Sequence, residues 1–163
     1  RKAMEDGLTR LYNTAACRKL ITQKLKQMKP DQIGVFMIMD MDNFKVINDD
    51  FGHQTGDMVL QQFAKLLRDT LRDDSIIARI GGDEFVVYLE SIKSEENITL
   101  ICNRLRNAAH TVLAEGRSIT ISIGAVAAKK TDSFDTLYKL ADSALYHAKN
   151  KQKDQFYLAK RND

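Results

Sequence analysis

Proline occurs once in 163 residues, at Pro30, and no linker, repeat or low-complexity tract divides the chain. With nothing to separate two bodies, the length suits one globular domain spanning residues 1–163. Cysteine is nearly absent too: Cys17 and Cys102 stand far apart on apolar helical stripes, without CxxC or Cys/His spacing. That excludes a disulfide framework and argues against a zinc site, leaving two reduced core thiols of a cytoplasmic protein. No apolar run exceeds residues 35–39, far short of a membrane span. Residues 1–6 mix both charge signs and no apolar stretch follows them, unlike a signal peptide. The chain opens on Arg1 and not on methionine, so a domain cut from a longer protein is expected. Charge of one sign is also lacking: 25 basic against 22 acidic residues give +3, too mild for nucleic-acid binding.

What is present is enough apolar residue, 44%, to bury a core, and an uneven distribution of charge. Residues 1–30 carry 8 Lys/Arg against 2 acids, residues 129–163 carry 8 against 5, and residues 31–128 carry 9 against 15. Within that acidic middle stand Asp40, Asp42, Asp49, Asp50 and Asp57, with Lys45 as the one cation among them. So many like charges repel one another unless they are solvated or a cation neutralises them. Taken alone, the cluster reads equally as a solvated loop and as a cation site.

Apolar periodicity gives the elements. Asn13 can cap a helix carrying Cys17, Leu20, Ile21, Leu25 and Met28. Residues 33–39 read as a strand buried on both faces, and residues 54–72 as a helix with Leu60, Phe63, Leu67 and Leu71 on one stripe. Strands at 76–80 and 85–89 flank a Gly81-Gly82 hairpin signal. Ser94 caps a helix opening with Glu95 and Glu96, and Ile119, Ile121, Ile123 and Ala125 alternate as a half-buried strand. Ser133 caps a final long helix, and a short strand is expected around residues 156–158.

The order from 33 to 127 is β-α-β-β-α-β, a ferredoxin-like α/β (α+β) palm with a mostly antiparallel sheet. In that topology the end of the first strand lies beside the start of the third. Asp40, Asp83 and Glu84 thereby reach one edge of the sheet. Carboxylates that converge without matching cations suit a hard ion, Mg²⁺ or Mn²⁺, whose shell is completed by water and phosphate oxygens. This is the arrangement of nucleotidyl-transfer sites, where two ions act together. Gly81 and Gly82, lacking Cβ, let a triphosphate approach the hairpin; the same residues also suit an ordinary turn with solvated acids.

Gly81-Gly82-Asp83-Glu84-Phe85 resembles the signature of the GGDEF family of diguanylate cyclases. DGLTRLYN (residues 6–13) is similar to the family's D-x-L-T-G-L-x-N. DMDNFKVINDDFGHQTGD (residues 40–57) resembles its D-x-D-x-F-K-x-x-N-D-x-x-G-H-x-x-G-D block. ITISIGAV (residues 119–126) and ADSALYHAK (residues 141–149) match its later strand and helix, so the likeness covers essentially the whole chain.

The resemblance implies a nucleotidyl cyclase-like fold that condenses two GTP to cyclic di-GMP and two pyrophosphates at a homodimer interface. It implies metal ligation by Asp40, Asp83 and the Met41 carbonyl, with two ions per site. Glu84 is implied as a second acid that assists the metal or the ribose 3′-hydroxyl. Asn43, Phe44 and Lys45 are implied at the β- and γ-phosphates, Gly81 and Gly82 beside the triphosphate, and Asn48 and Asp57 at guanine. A carboxylate accepts from both N1–H and the exocyclic amine of guanine, a donor pair adenine lacks. Lys149 matches a phosphate-binding lysine, and equally a last-turn lysine that complements the helix dipole. His53 is expected to shape its loop. The implied partners are GTP, a second copy and an upstream sensory domain, with no nucleic acid and no membrane contact by the domain itself.

Some positions depart from the pattern. Arg10 replaces a glycine and Thr14 an arginine, at the junction with upstream elements. Gln152-Lys153-Asp154 replaces Gly-Arg-Asn; Lys153 keeps the charge but not the bidentate fork, which implies weaker GTP binding. The family's inhibitory R-x-x-D reads Arg72-Asp73-Asp74-Ser75, so product inhibition loses its aspartate. Asp74 is adjacent, and it faces away from Ser75 if that segment is already strand. Two other readings stand beside an active cyclase: a catalytically weak GTP-binding regulatory module, and another palm-type cyclase or polymerase.

Overall fold

The computed structural model describes residues 2–162. After a short 3₁₀ turn at Lys2–Met4, the chain runs α1 (Thr14–Gln27), β1 (Gly34–Met41), α2 (Phe44–Phe51), α3 (His53–Thr70), β2 (Ile76–Gly81) and β3 (Glu84–Leu89). It continues through α4 (Glu95–Ala109), β4 (Leu113–Ala114), β5 (Arg117–Ser118), β6 (Ile121–Ala128), α5 (Phe134–Gln152) and β7 (Phe156–Leu158). The main sheet has the order β2-β3-β1-β6-β7. β1 is antiparallel to both β3 and β6, and only β6–β7 is parallel. The expected palm topology is therefore present, with β3 filling the gap beside β1.

β1 lies at the centre and explains its own composition. Val35, Met37, Met39 and Met41 face a core with Phe63, Leu67, Ile98 and Leu105 of α3 and α4. Phe36 and Ile38 face a second core with Cys17, Ile21, Leu137 and Leu145 of α1 and α5. A strand covered by helices on both sides shows no alternation, hence the unbroken apolar run. The run ends at Asp40, where the side chain meets Lys149 of α5 instead of apolar groups.

The caps follow the sequence in part. Asn13 accepts from the Ala16 N–H at 2.9 Å and Ser133 from the Thr136 N–H at 3.1 Å. Ser94 stands at the N-cap of α4 but makes no such bond; its hydroxyl donates to Asn97 Oδ1 at 3.2 Å. Cys17 and Cys102 are free buried thiols, and burial pushes both up to about 12.

Two corrections concern elements that serve the site. Residues 44–51 form a helix of their own, α2, where the sequence reading saw only an acidic segment. β6 is buried throughout and not half-buried. Its Gly124 is small because α5 packs against it, and its Ser122 is polar because it donates to Asp42, not because either faces water. A Cβ on Gly124 would overlap the Ala141 carbonyl oxygen and the Leu145 amide and lie 2.8 Å from Leu145 Cα. Among the described residues no helix is long and apolar enough to cross a membrane.

Candidate active site

The register of β1 and β3 places Asp40 opposite Glu84, so both side chains emerge on the α5 face of the sheet. Asp83, in the turn before β3, holds the end of β1 through its carbonyl, which accepts the Met41 N–H at 3.4 Å. Its carboxyl lies against that of Asp40. Burial, and then the neighbouring Asp40 carboxyl, push Asp83 up to about 7. Two carboxylates this close cannot both stay ionised cheaply without a proton or a cation between them. Asp40 Oδ1 is buried with no donor, while Lys149 of α5 donates to Oδ2. Burial works against the Lys149 charge, but the Asp40 contact together with the nearby Asp83 and Asp42 charges raises Lys149 overall.

Glu84 joins this edge but is held by a different partner. Tyr138 Oη of α5 donates to Glu84 Oε2 at 3.2 Å. Glu84 is raised, chiefly by burial, with the Tyr138 bond working the other way. Among the described residues no three carboxylate, histidine or cysteine side chains gather closely enough to hold an ion alone. The expected three-carboxylate cluster is thus a contacting pair, Asp40 and Asp83, with Glu84 beside it. An orphaned carboxylate oxygen next to a protonatable partner fits a divalent ion that draws its remaining ligands from water and phosphate.

Beyond Asp40 the chain prepares a second surface. Asp42 is 5% exposed and fully engaged, accepting from Thr120 Oγ1 and Ser122 Oγ, both at 2.7 Å, and from the Asp154 N–H at 2.8 Å. It fixes the start of β6 and the segment after α5. Asn43 adopts φ 59° and turns the chain sharply into α2, whose first N–H groups have no intrahelical partners. Lys153 donates to Asn43 Oδ1 at 2.8 Å, so the departing lysine reaches this loop. Lys45 instead forms an exposed pair with Asp49 at 3.1 Å. His53 opens α3, in keeping with a loop-shaping role. Asn48 on α2 carries a buried Oδ1 with no donor, and Asp57 stands exposed on the adjoining α3.

Gly81 and Gly82 border open space, with Gly82 at φ 21°. Their turn is braced from outside the sheet: Arg79 Nε donates to the Gly82 carbonyl at 2.8 Å, and its Nη1 reaches Asp6 at 3.1 and 3.2 Å. Burial alone would raise Asp6, but the Thr9 N–H and hydroxyl and Arg79 together hold it below the ordinary value.

Arg72 and Ser75 lie apart from all of these, at the opposite end of β2. With Arg10 and Arg68 they line a cavity of about 330 Å³. Arg72 donates to the Glu90 carbonyl at 2.6 Å and pairs with Asp74 at 3.3 Å; Ser75 Oγ is buried without a partner. Residues 74–75 precede the strand, so the expectation of opposite faces does not apply there. Arg10 has φ 66°, a backbone that favours the glycine it replaces.

Sequence reading missed Tyr138, Arg79 with Asp6, and the Asp154 knot. Asp154 accepts from, or lies opposite, His110 Nε2 at 2.9 Å and gives its carbonyl to Arg106 at 2.7 Å. Tyr138 left one signal, a polar tip on the inner stripe of α5. The others join residues more than 40 apart and left none.

A family model described as "Diguanylate cyclase, GGDEF domain" matches residues 3–155. Diguanylate cyclase DgcP of Pseudomonas aeruginosa is 39% identical over 97% of this chain and 24% of its own length. Diguanylate cyclase DgcS of Shewanella oneidensis is 34% identical over 97% of this chain and 53% of its own. The chain thus spans about a quarter and about half of these two relatives. The crystal structure of the GGDEF domain of DgcB from Caulobacter crescentus, in complex with c-di-GMP, superposes with a TM-score of 0.86 at 26% identity. That superposition covers 99% of this chain and 96% of the DgcB domain. Signature turn, palm topology and carboxylate edge agree with these likenesses, and the chain belongs to the GGDEF diguanylate cyclase domain family.

Proposed function

We propose that this domain is the catalytic unit of a cytoplasmic signalling protein that condenses two GTP into cyclic di-GMP as a homodimer. One observation carries the reading: the half-buried Asp40–Asp83 pair, with one buried and orphaned oxygen, sits at the end of β1, and the chain runs from there within four residues into the unpaired N–H groups that open α2. Carboxylates that need a cation and amides that need an anion are there the two halves of one metal–triphosphate site.

Asp40, Asp83 and the Met41 carbonyl would hold Mg²⁺ or Mn²⁺, with two ions per site as the full set. When bound, such ions supply positive charge to the phosphate oxygens and favour ionisation of the 3′-hydroxyl. The main chain at Asn43, Phe44 and Lys45 binds the β- and γ-phosphates, and Lys153 steadies Asn43 while adding charge. Gly81 and Gly82 leave room for the nucleotide along the turn. Asp57 takes the guanine N–H donors with Asn48 beside it at the base, and Lys149 would turn from Asp40 to phosphate once cations are bound. Glu84, oriented by Tyr138, receives the 3′-hydroxyl proton directly or through water. Each protomer holds one GTP; its O3′ forms a bond to the partner's α-phosphorus, and the bond to the β-phosphate oxygen breaks, releasing pyrophosphate. Two such events close the ring.

Incubation with GTP and Mg²⁺, followed by mass spectrometry, tests this. Cyclic di-GMP and pyrophosphate in a 1:2 ratio are expected. GTP bound without product would favour the regulatory-module reading, which the Lys149–Asp40 contact and the lysine at 153 support. No GTP binding would reject both.

A further inference from the structure

Gly56 lies within α3 on ordinary helical backbone, so no turn or positive φ explains it. Glycine is also a poorer helix former than alanine at such a position. Its one distinctive property is what a side chain would meet. A Cβ there would overlap Asn48 Oδ1 and lie 3.0 Å from Asn48 Cγ and 3.3 Å from Phe44 Cζ. The same Oδ1 is buried and has no donor.

We infer that Gly56 is a positioning residue for guanine selection: its missing side chain is the space that holds the Asn48 carboxamide in place. The inference rests on the reading of Asn48 as a contact to guanine. The Asn48 backbone is fixed, since its carbonyl accepts the Gly52 N–H at 2.8 Å. The soft part of the contact is therefore the Asn48 side chain and not either helix. A methyl group at residue 56 rotates that carboxamide away, leaving α2 and α3 in place. With Oδ1 sealed against Gly56, the rest of the carboxamide is the part that meets the guanine edge, and it does so only while the group stays in this position.

Calorimetric titration with non-hydrolysable GTP and ATP analogues, in Mg²⁺, separates the possibilities in Gly56→Ala, Asn48→Ala and the double variant. Gly56→Ala is expected to keep or raise the thermal midpoint, to bind the GTP analogue at least tenfold more weakly, and to leave ATP-analogue binding unchanged. The double variant is expected to bind no more weakly than Asn48→Ala alone. Wild-type GTP binding by Gly56→Ala, or losses that add in the double variant, would overturn the inference. If Asn48→Ala itself binds GTP normally, the guanine-contact reading fails first, and is seen to fail separately. Should Gly56→Ala not fold, the double variant, which lacks the carboxamide the methyl meets, is expected to fold. Failure of both would place the clash elsewhere and reject the proposal.

Discussion

Among single residues Asp83 carries the sharpest consequence. Burial and the Asp40 carboxyl hold it near pKa about 7, above the 3.8 of a free aspartate. A raised folded-state value means the protonated form is the one folding favours. The stabilisation is complete below the unfolded value and is lost as pH rises through about 7. Metal-free protein is therefore expected to lose thermal stability between pH 5 and 8 relative to Asp83→Asn, in which nothing titrates at that position. Over the same range Mn²⁺ should bind the unmodified domain more tightly as pH rises, because proton and ion compete for the same oxygens. Asp83→Asn should fold and make no cyclic di-GMP. A stability difference between the two proteins that does not vary with pH would refute the coupled pair. The sequence made Asp40 and Asp83 legible as partners, since topology alone brings strand ends together. It could not show Asp42 to be structural, because an aspartate satisfied by Thr120 and Ser122 is spelled like one awaiting a metal.

At the scale of elements, β2 has two unlike ends, the signature turn and the Arg72–Ser75 segment. The Arg72 guanidinium is shared between the Glu90 carbonyl and Asp74, and the position of the motif's acid holds a buried, unpartnered hydroxyl. A neutral hydroxyl forgoes a charge-assisted bond worth about 1.5–3 kcal/mol, roughly ten- to a hundredfold in affinity. Cyclic di-GMP is thus expected to bind weakly there, and Ser75→Asp to tighten it by about that factor, read by calorimetry with the GTP site blocked. Tight, Arg72-dependent binding by the unmodified domain would contradict this. Elements differed in legibility for physical reasons. β1 was plain because both faces are covered. β6 misled because Gly124, small to admit α5, and Ser122, bonded to Asp42, look like solvent-facing positions. α2 was hidden by its acids, although Phe44, Ile47 and Phe51 already carry a helical spacing, i, i+3 and i+7.

For the molecule as a whole, the proposed mechanism gives each protomer one nucleotide, whereas ring closure needs two facing nucleotides. Specific activity is expected to rise steeply with protein concentration while dimers are scarce, then level off; analytical ultracentrifugation run alongside fixes the monomer fraction. Constant specific activity in a monomeric sample would refute the homodimer. The same requirement gives weight to the chain of contacts from Asp6 through Arg79 to the Gly82 carbonyl. In mechanical terms it is a short strut between the chain's entry and the rim of the signature turn, with a rigid guanidinium as its middle member. A shift of the Asp6 carboxylate would therefore reach the turn as a displacement of its backbone, without first deforming the core.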